Sequence, residues 1–440
     1  MVQWRPFHTS AVPQGVPGHE ECMSVELAIE ALVVSRLDDP PASPAVARAL
    51  AAAGLGAVEY TPASAPTGAI AARGRQRLGT FTASVPGLSG ASCRIGVYRY
   101  ETEVMDGLSE AAFAALTKGL ASDDLRTLRE GRVALDLRLS AADSNAPRAL
   151  DWLTRVQRVL LELTQGVAVD PAAQRCYGRA DLARLATSDP LAFIVLHDEA
   201  WDADSRWLHT HGMQKLGRPE LDVVAVPLSL HAEASAFLRD VAFSLAGGAR
   251  LAPGDEIDLG DAGRAVAVSA PVDDDHRAPF GRLRLADAPL PGERQTERAR
   301  RLLCALALSE AARRASAGAG DVAGALADCD RVLAADPDEP AALALKARLY
   351  LRAGRTLDAL SLADLMELRA PRDYRGPLIA GLALAALGRD REALHALNRA
   401  IEREPEAAEV YAVRSQVHER LGDARMAAED RTHAAYLRAS

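Results

Sequence analysis

The sequence predicts two architectures in series: an α+β N-terminal domain with a largely antiparallel sheet, then an all-α domain of helical repeats. Three observations carry this. Gly320, Gly354, Gly388 and Gly422 recur every 34 residues, in step with Ala325, Ala359, Ala393 and Ala427 and with Pro337, Pro371 and Pro405. Upstream of residue 290 the apolar residues instead alternate or run in short β-branched stretches. The two parts also differ in charge. The chain of 440 residues has a net charge of -9, yet residues 295–440 hold 22 acidic and 22 basic residues, so the whole deficit lies upstream.

Composition excludes several classes. At 49% hydrophobic the chain is too apolar for a disordered protein. It lacks the basic surplus of a duplex-binding protein, so no nucleic-acid partner is expected. No membrane span is expected either. The longest apolar candidate, Leu378–Leu387, is Ala-rich, contains Gly381 and falls short of the ~18 residues a bilayer requires. The five cysteines (Cys22, Cys93, Cys176, Cys304, Cys329) form no CxxC, which points to buried, reduced thiols and a cytoplasmic location. Residues 1–22 carry Pro6, Pro13 and Pro17 with no signal-peptide core and read as a loose tail, with Met23 rather than Met1 as the expected start.

The α+β domain is expected over 23–290. Strands are predicted at 27–34, 57–60, 80–85, 93–100 and 132–139; in the last, Val133, Leu135, Leu137 and Leu139 share one face. Ser43-Pro44 suits a helix N-cap and first turn, opening a helix that runs to Gly54. Leu150, Leu153, Val156, Leu160 and Leu163 give an amphipathic helix over 150–163. Strands follow at 166–170, 191–197, 206–211 and 221–226, a helix at 232–245, and strands at 264–269 and 281–285. The sheet should be packed on one face by the Leu150 and Ala232 helices, with a possible subdomain joint near 140–147. The Pro/Gly-rich segment 286–292 leads into repeats over 296–440, about 3.5–4 units.

The period has a physical reading. Each unit is an apolar helix, a Gly turn, a second apolar helix and a Pro. Gly supplies the left-handed residue that ends a helix, Ala lets two helices cross closely, and Pro cannot continue the second helix. Stacking buries the stripe that one pair cannot bury alone. In these residues and this length the C-terminal third resembles the tetratricopeptide repeat family over Pro340–Pro371, Tyr374–Pro405 and Ala408–Ser440, with a degenerate unit at Arg300–Asp336. There Arg313 stands where later units carry small Ala347, Gly381 and Ser415, which questions that unit's inner packing or marks it as a cap.

The resemblance implies a concave groove that binds a protein or peptide segment. By repeat position its lining would be Arg348, Leu351 and Arg352, then Arg375, Leu378, Leu382 and Ala386, then Glu409, Gln416 and Arg420. Arginines beside apolar patches suit an acidic segment with apolar anchors. The same surface could instead pack on the chain's own N-terminal domain or on a second copy.

One upstream segment carries candidate chemistry. In Trp207-Leu-His-Thr-His-Gly the two histidines, His209 and His211, point the same way on a strand, with His197 one hairpin away and Glu220 and Asp222 opening the next strand. Two histidines and a carboxylate (His209, His211, Glu220) form a plausible shell for Zn²⁺ or Fe²⁺. The alternatives are a non-catalytic binding cleft, or packing, with the pair hydrogen-bonded to Glu220 and the Gly212 turn. The 16 residues Trp207–Asp222 are similar to a His-Thr-His-Gly…Pro-Glu-Leu stretch in bacterial domains of unknown function, which implies no established activity. Among other motifs, Gly318–Gly324 mimics a phosphate loop but lies in a repeat turn, and Asp273–His276 reads as a solvated loop. Two readings therefore stand at the level of sequence. One is a non-enzymatic scaffold or adaptor with no cofactor, acting through the groove. The other is a metal-assisted hydrolase using His209 and His211, with the repeats recruiting substrate or forming a dimer.

Overall fold

A computed structural model describes residues 26–63, 75–105, 108–271, 278–287, 293–316 and 320–439. Residues 1–22, Met23 and the 273–276 loop lie outside these. The chain divides into two compact units, the first spanning 1–171, 175–188 and 215–217, the second 172–174, 189–214 and 218–440. The division runs through 171–189, downstream of the expected 140–147 joint, and the second half of the α+β region shares a unit with the repeats. The expected single sheet is thus two sheets.

The first unit holds strands β1 (Glu26–Ser35), β2 (Val58–Pro62), β3 (Arg75–Ser84), β4 (Ser92–Tyr100), β5 (Val133–Ala142), β6 (Val167–Asp170) and β7 (Arg175–Tyr177). Its helices are α1 (Ser43–Ala52), α2 (Glu110–Leu116), α3 (Ser122–Glu130), α4 (Ala146–Thr164) and α5 (Arg179–Arg184). The strands pair antiparallel throughout in the order β2-β3-β4-β5-β1-β6-β7. Helix α4 buries Leu150, Leu153, Val156, Leu160 and Leu161 and packs against β1, β5 and β6. Burying each such side chain stabilises by roughly 1.5–3 kcal/mol. Ser43 is the first residue of α1 rather than its cap; Ala42 holds that place and makes no side-chain cap bond.

The second unit holds β8 (Val195–Ala200), β9 (Ser205–His211), β10 (Glu220–Pro227), α6 (His231–Ala246), β11 (Glu256–Asp258), β12 (Arg264–Ser269) and β13 (Arg282–Asp287). The order is β11-β12-β13-β10-β9-β8, antiparallel except for the parallel β10/β13 pair. Helices α7 (Gln295–Ser316), α8 (Val322–Ala335), α9 (Pro340–Arg352), α10 (Thr356–Arg369), α11 (Arg375–Ala386), α12 (Asp390–Arg403), α13 (Ala408–Arg420) and α14 (Ala424–Ala439) make four pairs. Helices α6 and α7 cover one face of this second sheet. Among the described residues no helix is long and apolar enough to cross a membrane.

The repeat chemistry holds in detail. Gly354, Gly388 and Gly422 have φ of 73°, 73° and 84°. The next residue's amide reaches five residues back each time: Arg355 to Tyr350, Arg389 to Leu384 and Asp423 to His418. That is the wide bond of a glycine-terminated helix, and a side chain at the glycine would strain it. Ala325, Ala359, Ala393 and Ala427 are each 0% exposed. In the first pair the closing bond spans more residues: Asp321 N donates seven residues back, to Arg314 O. Counted back from the accepting carbonyl, the position of Ala347, Gly381 and Ser415 falls on buried Ala311, not on Arg313, which is exposed and bonded to Glu310. Ala311 packs in a cluster with Ala325, Cys329 and Leu349, so the inner packing of this pair is intact.

Candidate functional site

The second sheet is apolar on one face and charged on the other. Leu208, Leu221, Val223, Leu283 and Leu285 are buried on the first. The pairing register sets the second: Arg284 stands beside Asp222, Asp222 beside His209, and His209 beside His197, one row across β13, β10, β9 and β8. Two residues along, Arg282 stands beside Glu220, and His211 is paired with Val195. The face is buried all the same: His209 and Asp222 are 0% exposed, and His211, Glu220 and Arg282 are also inside. Buried charges need partners. Arg284 donates to both Asp222 carboxylate oxygens at 3.0 and 2.7 Å, and Trp207 Nε1 donates to Asp222 Oδ2 at 3.1 Å.

The β8–β9 hairpin positions the histidines. Asp202 Oδ1 accepts from Asp204 N at 3.0 Å and Trp201 N donates to Ser205 O, closing the turn. The Ser205 hydroxyl and the Asp204 amide hold the Asp202 carboxyl below the usual carboxylate range. With the register fixed, His197, His209 and His211 each place a ring nitrogen so that the three lie within 4.8 Å of one another. Ring centroids are 5.6 Å apart for His197–His209, 4.4 Å for His197–His211 and 4.9 Å for His209–His211. Trp207 lies on His209 at 4.0 Å, and Glu199 Oε1 is 3.7 Å from His209 Nε2. Three imidazoles at one point offer nitrogen donors of the kind first-row transition metals take.

Glu220 takes a different place from the one expected. Its Oε2 accepts from Thr210 Oγ1 at 2.8 Å, and its Oε1 accepts from Gly212 N at 3.0 Å and Gln214 N at 3.3 Å. It anchors the turn after β9, and His197 completes the trio in its stead. Arg282 and Arg284 are residues of this charged face that the sequence alone did not single out. The signal was there as Arg-x-Arg alternating with Leu283 and Leu285, a period-two charge in a strand otherwise made for the core.

On the repeats, helices α9, α11 and α13 contact one another and form one face. The expected lining residues fall into three groups. Arg348, Arg352, Gln416 and Arg420 are exposed, with Arg375, Leu351 and Leu382 half-buried. Leu378 is 1% exposed and belongs to the core, so it is unavailable to a partner. The arginines meet the chain's own acids: Arg348 with Glu409 Oε2 at 2.7 Å, Arg420 with Asp390 at 2.7 Å, and Arg375 with Asp373. Arg352 donates to Ala315 O at 2.6 Å in the first pair. Burial and the Glu409 carboxylate push the Tyr374 hydroxyl above its ordinary range. Burial alone raises the Asp373 carboxyl, but the Arg375 guanidinium and amide outweigh it and hold Asp373 low. Extensive contacts between the second sheet's elements and the repeats involve α7 and α8, where Arg331 also pairs with Glu233 of α6.

Comparison with known proteins agrees with the C-terminal architecture. Residues 316–382 match the family model described as tetratricopeptide repeat. The C-terminal helical region is a tetratricopeptide repeat array. Solved structures similar to it include a thermophilic tetratricopeptide repeat protein of Thermus thermophilus, 26% identical over 30% of this chain and 72% of that one, TM-score 0.28. Others are a MamA protein, 21% identical over 31% and 73%, TM-score 0.26, and MamA from Desulfovibrio magneticus, 23% identical over 32% and 85%, TM-score 0.27. No curated protein matches the chain.

Proposed function

We propose that the protein is a scaffold or adaptor that holds a protein or peptide segment on the face formed by α9, α11 and α13. The tetratricopeptide match supports the general reading, since such arrays present stacked-helix surfaces to partners. The observation that carries the location is the placement of the second sheet. Its extensive contacts go to α7 and α8, and Arg348, Gln416 and Arg420 keep exposed side chains further along the array. Leu351 and Leu382, half-buried between them, offer apolar anchors. An acidic segment suits this face because its carboxylates can exchange with Glu409 and Asp390 for the same guanidiniums.

The test is capture by the tagged full-length chain, with the contact mapped by crosslinking, for the wild type and for Arg348→Ala/Arg420→Ala. The expected result is a partner crosslinked to α9 or α13 in the wild type and at least tenfold less of it with the variant, whose melting temperature stays within about 2 °C. Equal recovery from both proteins, or crosslinks confined to other helices, overturns the reading.

A further inference from the structure

We infer that His197, His209 and His211 are the nitrogen ligands of a divalent first-row transition metal, zinc being the reference case, on the charged face of the second sheet. This inference stands independently of the groove. Four observations converge on it. The three rings come from two hydrogen-bonded strands, so their relation is fixed by backbone pairing rather than by loop geometry: His197 is paired with His209, and His211 follows two residues on. One nitrogen from each lies within 4.8 Å of the other two. In a tetrahedral site with bonds of the usual ~2.0–2.1 Å such nitrogens lie about 3.3–3.4 Å apart, so the widest-spaced pair needs to close by up to about 1.5 Å. Rotation about χ2, a broad torsion for histidine, supplies that.

The surroundings suit a cation. The Glu199 carboxylate, 3.7 Å from His209 Nε2, offsets part of the charge a divalent ion brings into a buried place. The adjacent acid, Asp222, is already paired with Arg284, and both Glu220 oxygens already accept from a hydroxyl and two amides. The donor set is thus imidazole nitrogen, not oxygen, which favours zinc, cobalt, nickel, copper or iron over magnesium or calcium. There is also a route in. His209 and His211 are buried, but His197 and Glu199 lie on β8, the edge strand, and are partly exposed. Three histidines leave the fourth position of a tetrahedral ion to water or to another ligand.

The experiment uses the full-length protein, stripped with a chelator and titrated with Co²⁺ under visible spectroscopy, then with Zn²⁺ in competition. The expected result is one ion per chain with the d–d bands of a low-coordinate site, displaced by zinc, and a zinc-dependent rise in melting temperature. His197→Ala, at the partly exposed edge, should weaken cobalt binding at least tenfold and abolish the zinc-dependent rise while its metal-free melt stays close to wild type. His209→Gln and His211→Gln should behave alike in binding. His231→Ala, at a partly exposed histidine of the same unit bonded to Asp198, should retain full binding. Absence of a stoichiometric ion in the wild type, with all three cluster variants melting lower without metal, overturns the inference in favour of packing. Undiminished binding in His197→Ala overturns it as well.

Discussion

The second sheet and the repeat array share one compact unit but handle polarity in opposite ways. The array crosses its helices on alanines and Gly381, all buried, and keeps most arginine–carboxylate pairs at the rim. Its buried acids sit in the end pairs. Asp328 and Asp430 occupy the same repeat position, 1% and 3% exposed, where the inner pairs carry Leu362 and Ala396. Each is held by arginine: Asp328 by Arg314 and Arg331, Asp430 by Arg414. The sheet instead sets its charges in the middle, in the row from Arg284 through Asp222 to the histidines. Structural repetition places polar groups where stacking stops; a sheet face that buries an ion pair beside a row of histidines carries a cost that packing alone does not explain.

The sharpest way to break this comparison is Asp222→Ala. It leaves the Arg284 guanidinium buried without its carboxylate and removes the acceptor for Trp207 Nε1, so a loss of about 3–5 kcal/mol is expected. Asp430→Ala strands a partly exposed Arg414 and should cost less, about 1–3 kcal/mol. Denaturant unfolding of both variants measures the difference; equal losses would remove the distinction between the two regions.

Alkaline pH separates them in another way. The described thiols of this unit, Cys304 and Cys329, both lie in the first repeat pair, and the sheet has none. Burial pushes Cys304 up to about 12 and Cys329 up to about 11, from 9.0. The folded state keeps the proton while the unfolded chain gives it up. The contribution is therefore fully present below about pH 9 and is lost as pH rises through 11 to 12. For Cys329 that is at most roughly 3 kcal/mol. Hydrogen exchange at increasing pH should show α7 and α8 loosening before β9 and β10, and Cys329→Ala should reduce the slope.

The repeats were legible in the sequence because their determinants are local and periodic. A glycine that ends a helix and an alanine at a crossing announce themselves at fixed intervals. The misplacement of Arg313 came from a closing bond longer by two residues, which keeps the glycine period while shifting the helix register, and Leu378 was misplaced because the repeat position alone does not separate core from groove. The two sheets were legible only strand by strand. Which strands pair is a non-local matter, so the division near 171–189 and the short elements α2, α3, α5, β7 and β11 were missed. The histidine site was half legible. His209-x-His211 follows from the period of two, but His197 enters through hairpin register, and Glu220 is drawn off by the Thr210 hydroxyl and the turn amides.

Within the array, Gly381→Ala tests packing by volume. In an exposed helix this change gains about 1 kcal/mol from propensity. Here a Cβ would lie 2.6 Å from Leu397 Cγ, and Leu397 is 0% exposed. The overpacking cost of about 1–3 kcal/mol should exceed the gain, leaving a net loss of about 1 kcal/mol by thermal melt. A rise in melting temperature would mean that α11 and α12 can part without penalty.

The smallest effect is expected at the rim. Arg348 and Glu409 join α9 to α13 at 2.7 Å, yet their side chains are 44% and 40% exposed. Water screens the pair and ordering two long side chains offsets part of the attraction, so Arg348→Ala should cost under about 1 kcal/mol. Tyr374 also donates to Glu409, at 3.2 Å, and keeps that carboxylate occupied after the arginine is gone. A double-mutant cycle of Arg348→Ala with Glu409→Gln isolates the coupling. A value near zero leaves these side chains free to turn to a partner. A coupling above about 2 kcal/mol would make the pair a structural clasp comparable to Asp222–Arg284, and the array would then hold its own ends together before it could hold anything else.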